Sequence, residues 1–590
     1  MRKPVFFEGS APWCPSVEAL LSDVGDGARV GVGGFHFTRI PVAQLLELRR
    51  AGRRELTYVA WGGGLALELL LDAGAVARAE LTFSSLDVFG LAPRFRRAIE
   101  RGELELEEWT ALGMISALNA RSRRLPFEPM QQLAGTDLGS GWSRPTGGDA
   151  SGAAGASGAA GAAGAAGAVD LVPALQLDHV LLHASRADDA GNVELRGAGG
   201  LDRSLLFAAD RLLVTVEERV AVGELGAPGA FVIPRTFVSG VALAPDGAYP
   251  TSSLPHYAAD LRRLRALAAD PDAPLDAAAL APHPRARAAA KVPPAAIRHG
   301  LSCLGVAGRQ QSRTTPAETM VCALARTVAA GGVATVGSAS PLPTVAYLLA
   351  KLLWAPDLLL MSFNGGLVDV GWRPMTLSLA EQLDFDSAAA HAGGDETYHW
   401  YYQQGRVTHE VVGTAQLDAT GATNNISIRR PDGSQIRLPG QGGMADVANL
   451  HASFLLYLPR QSRRNTVQRV DVRSATRVLP GPMTVLTDLG RFDRDPADPG
   501  APLVLTHLHP GVELAEVKER TGWPLRVADD LKTTPAPTAE ELTALRERVD
   551  PLGVRRLDFV PAAERGALID ELLDREEELL AAATDGGPPT

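Results

Sequence analysis

Three cysteines in 590 residues, Cys14, Cys303 and Cys322, are too few and too far apart for a disulfide framework or a CxxC metal or redox pair. A reducing cytoplasm is the natural setting for such a chain. Basic charge is also short. With 57 Lys and Arg against 68 Asp and Glu, the formal net charge is −11, which argues against nucleic acid or an anionic membrane as the main partner. No long apolar run is unbroken either. The most hydrophobic stretch, Ala346 to Phe363, is interrupted by Lys351, Pro356 and Asp357, and reads as a buried helix followed by a buried strand. The opening MRKPVFFEGS has two basic residues but no apolar core, so no signal peptide is expected there.

What is present is ample core material. Hydrophobic residues make up 46% of a chain too long for one ordinary domain, so two large α/β domains are expected. Up to about Leu138, strand-like runs ending in glycine alternate with helical runs: ARVGVGGF, then PVAQLLELRRAG with Pro41 suited to a first turn, then LTYVAWGGG and LALELLLDAG. From about Thr315 the alternation resumes with MVCALARTVAAGG, VATVGSAS, TVAYLLAKLLW and DLLLMSF. This order predicts two similar open, mostly parallel sheets flanked by helices. Two stretches stand apart. The Gly/Ala/Ser tract from Ser140 to Ala168 has no side chains to build a core and reads as a surface insertion within a domain. The Ala/Pro-rich stretch beginning near Leu264 reads as a semi-extended spacer. The expected division is 1–263, a linker 264–314, and 315–590. Near the C-terminus, Thr538 and Glu541 have capping-box spacing, and an amphipathic helix follows.

Gly31, Gly33 and Gly34 follow a strand and precede a helix, but a dinucleotide fingerprint needs a third glycine where His36 stands. The turn is either a plain strand–helix connection or a cradle whose backbone N–H groups meet a polarised carbonyl or phosphate. SFNGG (Ser362 to Gly366) and LPGQGGMAD (Leu438 to Asp446) are two more glycine clusters at strand ends, where ligands gather in parallel sheets. His36 is the favoured acid–base candidate because an imidazole exchanges protons near neutrality. His391, Asp395, Glu396 and His399 match no standard ligand spacing, and no metal site is expected.

These elements resemble family I CoA-transferases of the glutaconate CoA-transferase type, with the two component polypeptides, A and B, fused. GVGGFHFTRIP (Gly31 to Pro41) and HASRADDAGNVELRG (His183 to Gly197) are similar to elements of the A component, while VVGTAQLDATGATNN and LPGQGGMADVAN are similar to elements of the B component. VLTDLGRF and LHPGVELAEVKERTGW continue the match, placing His507 and His509 in an element of structural character. The resemblance implies acyl-CoA substrates, no tightly bound cofactor, coenzyme A present only as part of the substrate, and a possible homodimer of fused chains. It implies backbone donors at Gly33, Gly34 and Phe35 for a developing oxyanion, and approach of the second half to the substrate at Gly440, Gly442 and Gly443. It also exposes a departure. Such transferases carry a glutamate nucleophile in a Glu-Asn-Gly or Glu-Ser-Gly turn, and here the turn reads Ser362-Phe363-Asn364-Gly365. A phenyl ring has no lone pair with which to form an acyl-enzyme, so Phe363 is expected to line the acyl pocket instead. Asp369, Glu381, Asp384 and Asp386 are the nearby carboxylates that could substitute. Ring-opening CoA-ester hydrolases of the superfamily use an A-half glutamate as base; the matching stretch here is Trp109 to Gly113, with Glu107 and Glu108 close by but out of register. Three functions follow as expectations: hydrolysis, C–C cleavage or rearrangement of an acyl thioester; CoA transfer by a relocated carboxylate; or acyl-CoA binding without turnover.

Overall fold

The computed structural model describes residues 13–131, 135–138, 169–293, 296–297, 313–337, 340–362 and 365–585. Short β-rich runs bounded by glycine form the strands, and the apolar periodic runs between them form helices. In the first half the strands Arg29–Val32, Leu56–Val59, Val76–Leu81 and Glu105–Glu108 run parallel to one another. On the other side of Arg29–Val32 come Leu177–Asp188, Ala209–Val220 and Gly240–Leu243, also parallel. Antiparallel strands Val193–Leu195 and Phe231–Ile233 complete a nine-stranded sheet.

The second half builds an eight-stranded sheet. Leu359–Met361, Val333–Thr335, His409–Gly413, Phe454–Leu458 and Met483–Thr487 are parallel neighbours. Beyond them Gly490–Arg494 pairs antiparallel on both sides, and Arg526–Thr533 ends the sheet parallel to Val504–Leu508. The fold is mixed α/β with two large, mostly parallel sheets.

Side-chain alternation along the strands divides most of the described interior into two large cores, beside a small cluster around Tyr249 and Tyr257. Leu181 faces one and Leu182 the other; in the second half Leu455 and Tyr457 face the first, while Phe454, Leu456 and Leu458 face the second. Helices Val42–Arg50, Gly64–Asp72, Pro316–Thr327 and Pro341–Leu353 cover the first core. Helices Ala111–Ser122 and Met444–Leu450 cover the second. Each core therefore draws on both halves of the chain.

The stretch expected as a spacer is packed where it is described. Residue 264 falls inside helix Leu261–Ala269, helix Pro284–Ala290 follows, and Leu264, Leu275, Leu280 and Val292 are buried. Arg262 pairs with Asp574 and Glu577 of helix Ala562–Asp585, which fixes the stretch to the C-terminus. Its few leucines supply the burial that an Ala/Pro count hides. The tract 140–168 lies outside the described residues, but strands on either side of it, Phe127–Gln131 and Val169–Pro173, pair antiparallel. The described strands that flank it therefore belong to one unit. The predicted capping box is present, with Thr538 and Glu541 exchanging bonds at the start of helix Ala539–Thr543.

The halves lock through the glycine run of LPGQGGMAD. Gly442 N–H donates to Thr82 O (3.0 Å), Ser84 N–H to Pro439 O (2.7 Å) and Gln441 N–H to Glu108 Oε1 (2.9 Å). A Cβ on Gly440, whose φ is +121°, would stand 2.7 Å from Thr82 O and 2.8 Å from Phe83 Cα. Gly440→Ala is therefore expected to cost about 3 kcal/mol from backbone strain and overpacking. Gly442→Ala meets nothing nearer than 3.9 Å and should cost only the left-handed penalty of about 1 kcal/mol. Thermal unfolding of the two variants checks this; equal midpoints would remove the close approach as the reason for Gly440.

Candidate functional site

After strand Arg29–Val32 the Gly33 N–H extends the ladder to Leu181 O (3.0 Å). Gly34 turns through φ +80° and donates its N–H to Asp202 Oδ1 (2.8 Å). Phe35 and Thr38 then exchange two backbone hydrogen bonds of 2.9 Å, closing a tight turn. Asp202 is buried and paired with the buried Arg39 at 2.7 Å, and Arg39 also donates to Ala198 O (2.6 Å). This clamp holds His36 at the tip of the turn with φ +53°, a conformation uncommon outside glycine and concentrated at functional sites.

The same hydrogen bonds overturn one expectation. The N–H groups of Gly33, Gly34 and Phe35 are all donated within the protein, so in this structure they offer no oxyanion donors. Glycine is needed here for packing: a Cβ on Gly33 would lie 2.1 Å from Leu182 Cδ2.

His36 Nδ1 stands 3.2 Å from Asp87 Oδ2. Burial lowers the imidazole pKa below its ordinary 6.5, and the Asp87 charge opposes the shift without cancelling it. The ring is thus neutral and basic at neutral pH. Phe35 packs edge-on at 4.0 Å and Phe83 at 5.4 Å, which fixes its plane.

Both groups border a cavity between the halves, walled by Phe35, Leu348, Leu360, Met375 and Leu377 and reaching Ser362. A second cavity lies beside it, lined by Trp61, Phe83, Tyr398, Tyr402 and Gly440 to Gly443. Asp87, Gly337 and Ser340 border both. The strand-end glycines of the second half thus do reach the cleft, although Gly440 and Gly442 pack first against the backbone of the other half. Gly443 leaves room for Tyr398, whose hydroxyl would lie 2.5 Å from a Cβ. Asp446, four residues from Gly442, accepts from Leu112 N–H (3.1 Å) and caps the A-half helix. Burial pushes its carboxyl up to about 8.

Glu410 carries no motif that marks it in the sequence. It sits in strand His409–Gly413, buried, with Tyr402 donating its hydroxyl to Oε2 (2.8 Å). A Cβ on Gly337 would stand 3.7 Å from Glu410 Oε1, so the carboxyl reaches the rim shared by the two cavities. Burial raises its pKa to about 7. His451 Nδ1 lies 3.6 Å away but is held neutral, its pKa pushed down to about 3 by burial and by Arg477. The available signal is a charged residue inside an apolar strand, immediately before the GTAQLD element.

Phe363 and Asn364 lie outside the described residues. On either side of them Ser362 and Leu367 exchange backbone hydrogen bonds of 2.9 and 3.2 Å, and Gly365, at φ +81°, leaves space that Thr397 fills. Of the substitute carboxylates, Asp369 is half exposed near Lys351 and Asp386 is exposed. Asp384 forms a buried two-pronged pair with Arg373. Glu381 borders the first cavity but is held by Ala198 N–H (3.2 Å) and the Ser252 hydroxyl, with burial raising its pKa. Glu108 pairs with Arg437 at 2.8 Å between the halves, and Glu107 bonds to Arg78. The four residues at 391–399 do not converge: Glu396 takes Arg203 (2.5 Å), His391 faces Phe385 O (3.3 Å) and His399 faces Asn119 (3.4 Å). Among the described residues, no three His, Cys, Asp or Glu are grouped to hold a metal ion. His509 is buried between Thr487 O (2.8 Å) and Thr534 (2.9 Å), a structural placement. No described helix is long and apolar enough to cross a membrane.

Residues 15–244 match the family described as Coenzyme A transferase. The chain is 33% identical over 245 residues to the B component of 3-oxoadipate CoA-transferase from Pseudomonas knackmussii, covering 39% of this chain and 91% of that polypeptide. It is 30% identical over 249 residues to the A component of the same enzyme, covering 42% and 83%. The IpdA polypeptide of the cholesterol ring-cleaving hydrolase of Rhodococcus jostii is 31% identical over 251 residues, covering 42% of this chain and 82% of its own. Among solved structures, the acyl-CoA transferase YdiF of Escherichia coli O157:H7 aligns with 90% of this chain and 97% of its own, at a TM-score of 0.60 and 15% identity, a likeness of fold. Kinship to both components of one transferase, on two sheets that share one cleft, places this chain in the CoA-transferase family, its A-like and B-like halves fused into a single polypeptide.

Proposed function

We propose that the protein is an enzyme acting on an acyl-CoA or acyl-carrier thioester without a glutamyl-CoA intermediate, by hydrolysis, C–C cleavage or rearrangement of the acyl group. The observation that carries this is the His36–Asp87 pair, with His36 on the first cavity and Asp87 bordering both; the resemblance, which sets Phe363 where a transferase has its glutamate, agrees with it. In the hydrolytic form, His36 takes a proton from water as the water oxygen bonds to the thioester carbon. The C–S bond then breaks, and the imidazolium returns the proton to sulfur, giving a free acid and CoA thiol. Asp87 steadies the transient imidazolium. The 31% identity to a ring-cleaving hydrolase polypeptide supports chemistry other than transfer on this scaffold. Coenzyme A enters as part of the substrate and no tightly bound cofactor is invoked. The reading sets the enzyme in the cytoplasm with an acyl-CoA as its partner, without nucleic acid or membrane, and is compatible with a homodimer of fused chains.

A second reading is favoured by Glu410, whose carboxyl reaches the shared rim: a CoA-transferase with its carboxylate relocated within the second half. Intact-protein and product mass spectrometry with acyl-CoA and 3-oxoacyl-CoA esters, with and without acetate, separates the two. Free acid, cleaved skeleton or rearranged product without a protein adduct is expected. Acetyl-CoA together with a CoA adduct on wild-type protein would overturn the first reading, and loss of that adduct in Glu410→Gln would establish the second. Phe363→Glu is expected to gain an adduct that wild type lacks.

His36→Ala is expected to lower kcat by about 100-fold or more, the usual size of a lost acid–base group, with little change in KM. Because the neutral ring is the active form, the acid limb of kcat/KM should fall below pH 6.5, the ordinary imidazole value. A limb at or above that value would contradict the buried placement. For Glu410 the sign runs the other way. Its folded-state pKa of about 7 exceeds the ordinary 4.5, so its stabilising share is whole below 4.5 and lost as pH rises through about 7. Glu410→Gln should therefore gain thermal stability relative to wild type across that window, and parallel melting curves would show the carboxyl to be solvated.

A further inference from the structure

Resting on the reading of the cleft as a thioester site, we infer that the cavity beside His36 selects an uncharged, apolar acyl group and rejects acyl groups that end in a second carboxylate. The cavity wall is dominated by apolar side chains, among them Phe35, Leu348, Leu360, Met375 and Leu377. What decides the specificity is its charge. Arg373 is the one Lys or Arg among the described lining residues, and each of its three nitrogens makes a hydrogen bond within the protein, two of them to the Asp384 carboxylate that balances its charge. Nε and one terminal nitrogen bond to Asp384, the latter at 2.9 Å, and the other terminal nitrogen donates to Pro374 O (3.1 Å). The pair is buried and electrically neutral as a unit. The remaining titratable lining groups are His36, which burial keeps neutral, and the carboxyls of Asp87 and Glu381.

An acyl chain with a terminal carboxylate would leave water for a wall whose one cation among the described residues is already paired, against groups that are neutral or negative. A desolvated charge with no partner is strongly disfavoured, whereas each buried methylene is favoured. The same arithmetic predicts how the preference would reverse. Asp384→Asn keeps the size of the side chain and leaves the guanidinium with net charge, which gives a distal carboxylate a partner.

The test uses wild-type protein and unreactive thioether analogues, so it does not depend on turnover. Binding of S-octyl-CoA is compared with that of its ω-carboxyl counterpart of equal chain length, by calorimetry. At least about 100-fold tighter binding of the alkyl analogue is expected, the discrimination typical of a buried unpaired polar group. Asp384→Asn should narrow or invert that ratio, with folding checked by its melting curve. Equal or tighter binding of the carboxylated analogue by wild type would overturn the inference while leaving the cleft a CoA site. Failure of both analogues to bind would overturn the thioester reading itself, and with it this one.

Discussion

The close seat of the second half's glycine run on the strand ends of the first is the contact on which the cleft depends. Backbone meets backbone at Thr82, Phe83 and Ser84, and one residue type alone permits it at Gly440. Asp446 anchors the same run by capping the helix that starts at Ala111. A carboxyl buried there is costly unless it is protonated or fully bonded, and its raised pKa shows that the fold tolerates the former. The two cavities, and the rim between them, exist because these elements hold the sheet ends at a fixed separation.

The first half shapes its share of the cleft by a different device. A buried ion pair, Arg39 with Asp202, and the hydrogen bond from Gly34 N–H to the same carboxylate spend the polar capacity of the turn on rigidity. Nothing is left over for a substrate oxyanion from the N–H groups of Gly33, Gly34 and Phe35. The turn instead presents a side chain, His36, in a strained backbone conformation with its ring wedged between Phe35 and Phe83. Preorganisation of that kind favours proton transfer, which demands a fixed base more than a flexible one.

Much of this is legible in the sequence. Strand-into-glycine alternation announces both sheets, and the capping box at Thr538 and Glu541 falls where its spacing puts it, because these are local signals. The role of Gly33 and Gly34 differs from the expectation because the partners of their N–H groups, Leu181 and Asp202, lie far along the chain. Composition also misleads at 264–293, where Leu264, Leu275 and Leu280 are sparse in sequence but converge on one core. Glu410 is hidden for a similar reason, since a lone acid in a strand signals burial only once its neighbours Tyr402 and His451 are known.

Cores that each draw on both halves have a consequence for biogenesis. The first half of the nascent chain emerges with Leu45, Leu67 and Phe95 lacking the Tyr347, Leu349 and Leu572 with which they finally cluster. Its own helices cover part of the early strands, but it cannot complete its interior until the second half has left the ribosome. Two separately encoded polypeptides would meet that problem as a bimolecular search. Here the partner arrives on the same chain, at a local concentration set by the tether and independent of expression level.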